Sequence, residues 1–333
     1  MQRSSELTYT PAWWVPGRHA QTLWGRLFRR APEVHTRLER WATPDDDEIE
    51  VHRLDGAGTS TSHTPRLVVL HGLEGTIRSN YVRGILALAQ QRGWAADVLI
   101  FRGCGTRMNR QRRIYHSGET TDLDLVVRRV VAENPDQPLA LVGFSLGGNV
   151  LLKWLAEQGA NLPSQIRAAA AVSVPFDLEA GARHIEHGFS RIYTKHFLRS
   201  LTAKARTKLA HYPGLFDRAR LEQVRTLYDF DDAVTAPIHG FESAHDYYSR
   251  SSCLRVLPEV TLPVLLLSAR DDPFLPLNTA DAVAAMAARN PNICLEMWKH
   301  GGHVGFVSGR VPFQSHYYAE ERAVEFLDRH LTH

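Results

Sequence analysis

From residue 34 onward, short apolar runs alternate with longer stretches whose apolar residues recur at helical spacing. Val34–Arg40 and Ile49–Leu54 read as strands separated by the acidic turn Pro44–Asp47, and Thr59–Pro65 reads as a polar loop. Leu67–Leu70 is the next strand. Ser79–Gln91 is predicted helical, with Val82, Ile85, Leu86 and Ala89 on one side and Gly93 as its stop. Ala96–Phe101 follows as a strand. Ser117 or Thr120 then caps a helix carrying Leu123, Val126, Val127, Val130 and Val131, ended by Asn134-Pro135. Leu139–Val142, a helix to about Gly159, and Ala168–Val174 keep the same rhythm. Strands that are apolar throughout, rather than alternating, are covered on both faces. The order therefore predicts an α/β fold with a mostly parallel sheet between helices.

Between Pro175 and about Tyr248 the pattern changes to helical pieces rich in Arg, His, Tyr and Phe. The rhythm resumes with Val264–Ser268, Thr279–Ala288, Ile293–Met297 and a last helix near Tyr318–Leu327. We therefore expect a single domain over 1–333, with 175–248 inserted as a helical cap above the C-terminal sheet edge. Residues 1–30 form a separate arm. Trp13 and Trp14 lie between prolines there, followed by Gln21-Thr22-Leu23-Trp24 and the basic Arg26, Arg29 and Arg30. One reading packs this arm across the core. The alternative is a weak peripheral contact with a membrane surface, because Trp beside Arg is how interfacial segments look.

Composition narrows the function classes. With 44% apolar and 23% charged residues over 333 positions, the chain has the makings of a large core, which excludes disorder and collagen-like repeats. A net charge of +3 is too small to point to nucleic acid. Three well-separated cysteines, Cys104, Cys253 and Cys294, form no disulfide framework and no CxxC pair, which suits a reducing compartment. No apolar run approaches the roughly 20 residues of a membrane span, and Met1–Thr8 has no leader-like apolar region. The expected location is cytoplasmic. Oligomeric state is left open.

The strongest chemical signal is Gly143-Phe144-Ser145-Leu146-Gly147, directly after one strand and before one helix. A nucleophile on so tight a strand-to-helix turn adopts strained backbone angles, and its neighbours two positions away must be small. The turn raises the serine Oγ and aims the Leu146 N–H at a developing oxyanion. A serine needs a base and an orienting carboxylate, which in this arrangement follow later in the chain, each after a strand. Asp272 and His303 occupy those places. Asp271 is the rival carboxylate, with holding the turn or pairing an Arg as its other role, and His300 is the rival base. A second oxyanion donor is expected from the N–H of Leu73 in His71-Gly72-Leu73-Glu74-Gly75, with Gly72 permitting the turn, His71 ordering the loop and Glu74 near the leaving alcohol. Arg102 and His116 stand where they line the same edge, Arg102 as an anion contact or a structural ion pair. No helix carries H-x-x-x-H, no GK[ST] occurs and no G-x-G-x-x-G follows the first strand, so neither metal nor cofactor is expected.

These segments, together with Phe101-Arg102-Gly103-Cys104, Ile114–Thr120, Phe230-Asp231-Asp232, Ala269–Phe274 and Gly301–Phe306, resemble the YheT-like α/β-hydrolases. That group is related to abhydrolase-domain lipases and yeast medium-chain ethyl-ester synthases and esterases. The resemblance covers nearly the whole chain. It implies an eight-stranded sheet, a helical cap, a Ser145–Asp272–His303 triad, and hydrolysis of small carboxylic esters of short or medium acyl chains, acylglycerols among them. Acyl transfer to a small alcohol and a non-catalytic binding role are the alternatives. One departure is local: Gly105 and Thr106 follow Cys104, where the family pattern has Ser and Gly.

Overall fold

The computed structural model describes residues 7–56 and 64–332. The expectations for Met1–Glu6 and for 59–63 of the polar loop lie outside the described residues. Eight strands form the main sheet: β1 (Arg37–Ala42), β2 (Glu48–Leu54), β3 (Arg66–Leu70), β4 (Ala95–Ile100), β5 (Leu139–Phe144), β6 (Ile166–Val172), β7 (Val264–Ala269) and β8 (Ile293–Trp298). Their order is β1-β2-β4-β3-β5-β6-β7-β8. The β1–β2 and β2–β4 pairs are antiparallel, and every pair from β4 to β8 is parallel.

Every residue of β3, β4, β5 and β7 is buried, as strands covered on both faces require, and the two charged ones, Arg66 in β3 and Asp97 in β4, pair with each other at 2.7 Å. The helices are α1 (Gly17–Phe28), α2 (Asn80–Gln91), α3 (Thr121–Glu133), α4 (Leu146–Gln158), α5 (Leu178–His184), α6 (Arg191–His211), α7 (Arg218–Gln223), α8 (Leu227–Phe230), α9 (Ala236–His239), α10 (Ala244–Ser251), α11 (Leu277–Ala287) and α12 (Tyr318–Leu331). Both α4 and α12 pack on β5 and β6, α4 beside α3 and α12 beside α2, which places them on opposite faces. Helices α5–α10 all fall between β6 and β7.

Boundaries differ from the sequence reading where backbone geometry intervenes. The last strand before the helical segment stops at Val172, because Ser173 has φ +52° and turns the chain out of the sheet. The first strand begins at Arg37 and reaches Ala42 rather than starting at Val34, since its pairing with β2 is set by the Thr43–Asp47 turn. That turn is closed by the Thr43 N–H donating to the Asp47 carbonyl at 3.0 Å.

The N-terminal arm packs across the core with one face and leaves the other to solvent. Tyr9, Ala12, Val15 and Gln21 are buried, while Trp13 is 71% exposed. Ala12 N–H donates to the Val307 carbonyl at 2.9 Å, and Pro11 bridges Ser308 in β9 (Val307–Ser308), which pairs with β10 (His316–Tyr317). Among the described residues, no helix is long and apolar enough to cross a membrane.

Candidate active site

Ser145 joins β5 to α4 with φ +52° and ψ −122°, a conformation that costs energy for any residue with a side chain. The glycines around it are required by contact. A Cβ on Gly143 would lie 2.5 Å from the Gly147 carbonyl oxygen, and one on Gly147 would lie 2.5 Å from that of His71. Ser145 N–H donates to the Val172 carbonyl at 2.8 Å, which fixes the turn to the neighbouring strand.

Three side chains from three loops meet there. His303 Nε2 lies 2.9 Å from Ser145 Oγ, and His303 Nδ1 lies 2.8 Å from Asp272 Oδ2. An ionised carboxylate only accepts, so Nδ1–H donates to Asp272 and Nε2 is left to accept from the serine hydroxyl. Asp272 is buried, and its other oxygen accepts the Phe274 N–H at 2.8 Å. The Phe274 ring lies on the imidazole with centroids 4.1 Å apart. The rivals stand behind this line. Asp271 accepts the Gly302 N–H at 2.9 Å and sits 3.3 Å from the exposed His300, so both brace the loop and neither faces Ser145.

The loop carrying His303 is held from outside the sheet by the arm. His303 N–H donates to Thr22 Oγ1 at 2.9 Å, and Val304 N–H donates to Ser173 Oγ at 2.9 Å. Buried Gln21 accepts the Val307 N–H at 2.7 Å and donates to the Val15 and Val307 carbonyls at 3.2 Å. Gly302 and Gly305 let α1 come this close, since a Cβ on Gly305 would lie 2.3 Å from the Gln21 carbonyl oxygen. Thr22, Ser173 and Phe274 are positioning residues that no motif announces individually.

Gly72 packs against Ser145, the space for a Cβ there ending 3.1 Å from the serine Cβ. Its N–H donates to Tyr81 OH at 2.9 Å. Among the described residues, the N–H groups of Leu73 and Leu146 have no acceptor within the protein, and both residues line one cavity with Ser145. His71 is buried, with Nδ1 2.7 Å from the Gly72 carbonyl and Nε2 accepting the Phe101 N–H at 3.1 Å. Burial lowers its pKa to about 4, so it is a neutral brace for the loop. Glu74 binds Lys204 Nζ at 2.7 Å, Tyr115 OH at 2.8 Å and Ser200 Oγ. Cys104 lies 3.3 Å from Lys204, and burial raises its thiol to about 11, so it is a protonated packing residue.

Two cavities open onto Ser145. The smaller, about 110 Å³, is walled by Leu73, Leu178, Ala182, Ile185, Leu201 and Phe230, with His116 also on its wall. The larger, about 470 Å³, is more polar and runs past Thr22, Arg26, Gly72, Glu74, Arg78 and His303. Arg102 and Phe144 line neither. Phe144 is fully buried against Tyr81, and Arg102 is locked in a buried network with Asp45, Asp47 and Asp122. The anion-contact alternative for Arg102 is therefore set aside: its donors are spent on three carboxylates. Among the described residues, no three His, Cys, Asp or Glu side chains are grouped to hold a metal.

Asp231, on the wall of the smaller cavity, accepts from Thr235 Oγ1 and Tyr248 OH, each at 2.6 Å. Burial pushes its pKa up to about 6. Between about pH 4 and about pH 6 the folded chain holds a proton that the unfolded chain releases, so stability from this group declines as pH rises through that window. Relative to wild type, Asp231→Asn should gain on the order of 2 kcal/mol between about pH 4.5 and about pH 7. Thermal melts at the two pH values check this, and a constant offset contradicts it.

Comparison with known proteins agrees with this architecture. The sequence model of the alpha/beta hydrolase fold matches residues 65–309. YheT of Escherichia coli (strain K12) is 40% identical over 98% of this chain and 95% of its own. The chain belongs to the α/β-hydrolase fold family, as a YheT-like member. Within this family it is also 30% identical to the mouse (Mus musculus) phospholipase ABHD3, over 93% of this chain and 76% of that protein. In structure, this hydrolase-fold chain superposes on a Pyrococcus furiosus esterase with a TM-score of 0.58 at 17% identity, over 90% of this chain and 97% of that one, a likeness of fold.

Proposed function

We propose that the protein is a serine hydrolase that cleaves carboxylic esters of short or medium acyl chains, acylglycerols among them, through an acyl-enzyme on Ser145. The observation that carries this is the unbroken line Ser145 Oγ, His303, Asp272 at the meeting point of two cavities. His303 takes the serine proton as Oγ attacks the ester carbonyl, and Asp272 holds the ring and stabilises its charged form. The Leu73 and Leu146 N–H groups and the start of α4 receive the oxyanion. The alcohol leaves with the proton from His303, and water then repeats the sequence on the acyl-serine. In this reading the helices over 175–248 act as a cap, whose Leu178, Ile185, Leu201 and Phe230 receive the acyl chain. The small volume of that cavity favours a short or medium chain.

The wider cavity supports a second outcome for the same intermediate, transfer to a small alcohol, because it gives an acceptor room beside Ser145. Product ratios in water–alcohol mixtures separate the two. The test of the main reading is labelling of Ser145 by a fluorophosphonate, with a p-nitrophenyl ester chain-length series. Ile185→Trp should lower kcat/KM for the longest good ester at least about tenfold while sparing the acetate ester, since each methylene in an apolar pocket is worth about that much. Absence of labelling in the folded protein would overturn the serine mechanism.

A further inference from the structure

The arm's grip on the His303 loop accounts for only one of its faces. The opposite face carries Trp13 at 71% exposure, Phe28 at 60% and, from the turn after β9, Phe313 at 75%. Phe28 and Phe313 are joined by Trp24, whose ring lies 4.4 Å from that of Phe28 and 5.6 Å from that of Phe313, and by Trp14 stacked 6.1 Å from Phe313. The patch is built rather than frayed. Trp13 Nε1 donates to the Arg310 carbonyl at 3.1 Å, Trp14 Nε1 to that of Gly309 at 3.1 Å, and Trp24 Nε1 to Ser315 Oγ at 3.0 Å. Phe313 itself has φ +64°, an unfavourable backbone state for a side chain left pointing at water.

We propose that this face docks the protein on the headgroup region of an anionic lipid bilayer. Aromatic side chains flanked by arginines suit that boundary, with rings below the headgroups and guanidinium groups on the phosphates. Arg30 and Arg310 flank the patch, exposed and, among the described residues, without a carboxylate partner. Arg26 stands beside them and bonds the His196 ring at 2.8 Å. The rim thus carries surplus positive charge, which complements an acidic lipid surface and repels a second copy of the same face. The adjoining side of α1 lines the larger cavity, so docking brings the mouth of the Ser145 site to the lipid.

The experiment is co-sedimentation of the full chain with vesicles of phosphatidylcholine alone or mixed with phosphatidylglycerol, with hydrolysis of a water-soluble short ester followed in parallel. Wild type should bind the mixed vesicles, and the triple variant Trp13→Ser, Phe28→Ser, Phe313→Gly should bind at least about tenfold less. Arg30→Glu with Arg310→Glu should lose the preference for the acidic vesicles by about as much, each charge near such a surface being worth roughly fivefold. Both variants should keep wild-type circular dichroism and soluble-ester turnover. Equal binding by the triple variant, or no binding by wild type, overturns the proposal. So does a wild-type dimer that the triple variant dissolves, since the face would then be a contact between copies. Loss of ester turnover in the wild type would instead count against the catalytic reading and leave vesicle binding to be judged by itself.

Discussion

Ser145→Ala is expected to lower kcat toward a good ester by roughly 10⁴- to 10⁶-fold while leaving the melting temperature close to that of wild type. The loss is large because the hydroxyl supplies the bond that divides the reaction into two steps, and the His303–Asp272 pair has no partner to activate without it. The fold is spared because the strained turn is enforced by Gly143, Gly147 and the Ser145 N–H bond to Val172, none of which involves the hydroxyl. Alanine keeps the Cβ and loses only Oγ. Steady-state kinetics with circular dichroism decide the matter, and a well-folded variant with near-native turnover would refute the nucleophile.

Arg102→Met should cost the fold more than Ser145→Ala, Ile185→Trp or Asp231→Asn. The guanidinium reaches Asp45 at 2.8 Å, Asp47 at 3.1 Å and Asp122 at 2.7 Å, and of these only Asp45 has appreciable contact with water. Removing it leaves buried Asp122 with only Arg113, 3.7 Å away, while Asp47 keeps the Asn109 amide and three backbone N–H groups. Stranding one buried carboxylate costs about 3–5 kcal/mol in comparable cases and lowers Tm by on the order of 4–7 °C. Burial already holds Asp122 above the usual carboxylate range even with its partner present. Without Arg102 its folded-state pKa rises further, so the variant's deficit should grow as pH rises from about 5 to about 8. Turnover per folded molecule should stay near wild type, because Arg102 lines neither cavity. Selective loss of kcat/KM at unchanged Tm would contradict this placement.

Much of this arrangement was legible in the primary structure, for reasons that differ by element. The central strands are apolar along most of their length, apart from Ser268 and the paired Arg66 and Asp97, so their existence followed from composition within a few residues. The elbow was legible because the start of α4 crowds position 143 and the end of β3 crowds position 147, so neither admits a side chain. Asp271 and Asp272 both follow β7 directly, and the two carboxylates diverge there, Asp272 toward the imidazole and Asp271 toward the Gly302 N–H. Other features leave no periodic trace. Thr22 and Ser173 each hold the His303 loop through one hydrogen bond across a long sequence separation, and Gln21 does so through two bonds to Val307. The Asp45–Asp47–Arg102–Asp122 network joins a turn, a loop and a helix start, so spacing could suggest an ion pair for Arg102 without naming its partners. Packing among α5–α10 depends on faces that short helices do not declare.

The portion matched to the wider family begins at residue 65, yet the backbone of α1 lies against Gly302 and Gly305 and its threonine holds the amide of residue 303. The His303 imidazole is thus moored to a segment that lies outside that match. Trimming the protein to residues 65–309 would remove that tie and the Gln21 bonds to Val307, leaving the loop to the Ser173 bond with the Val304 N–H and the Asp271 bond with the Gly302 N–H. Conversely, any force felt by the arm has a route of one hydrogen bond to the residue whose imidazole faces Ser145.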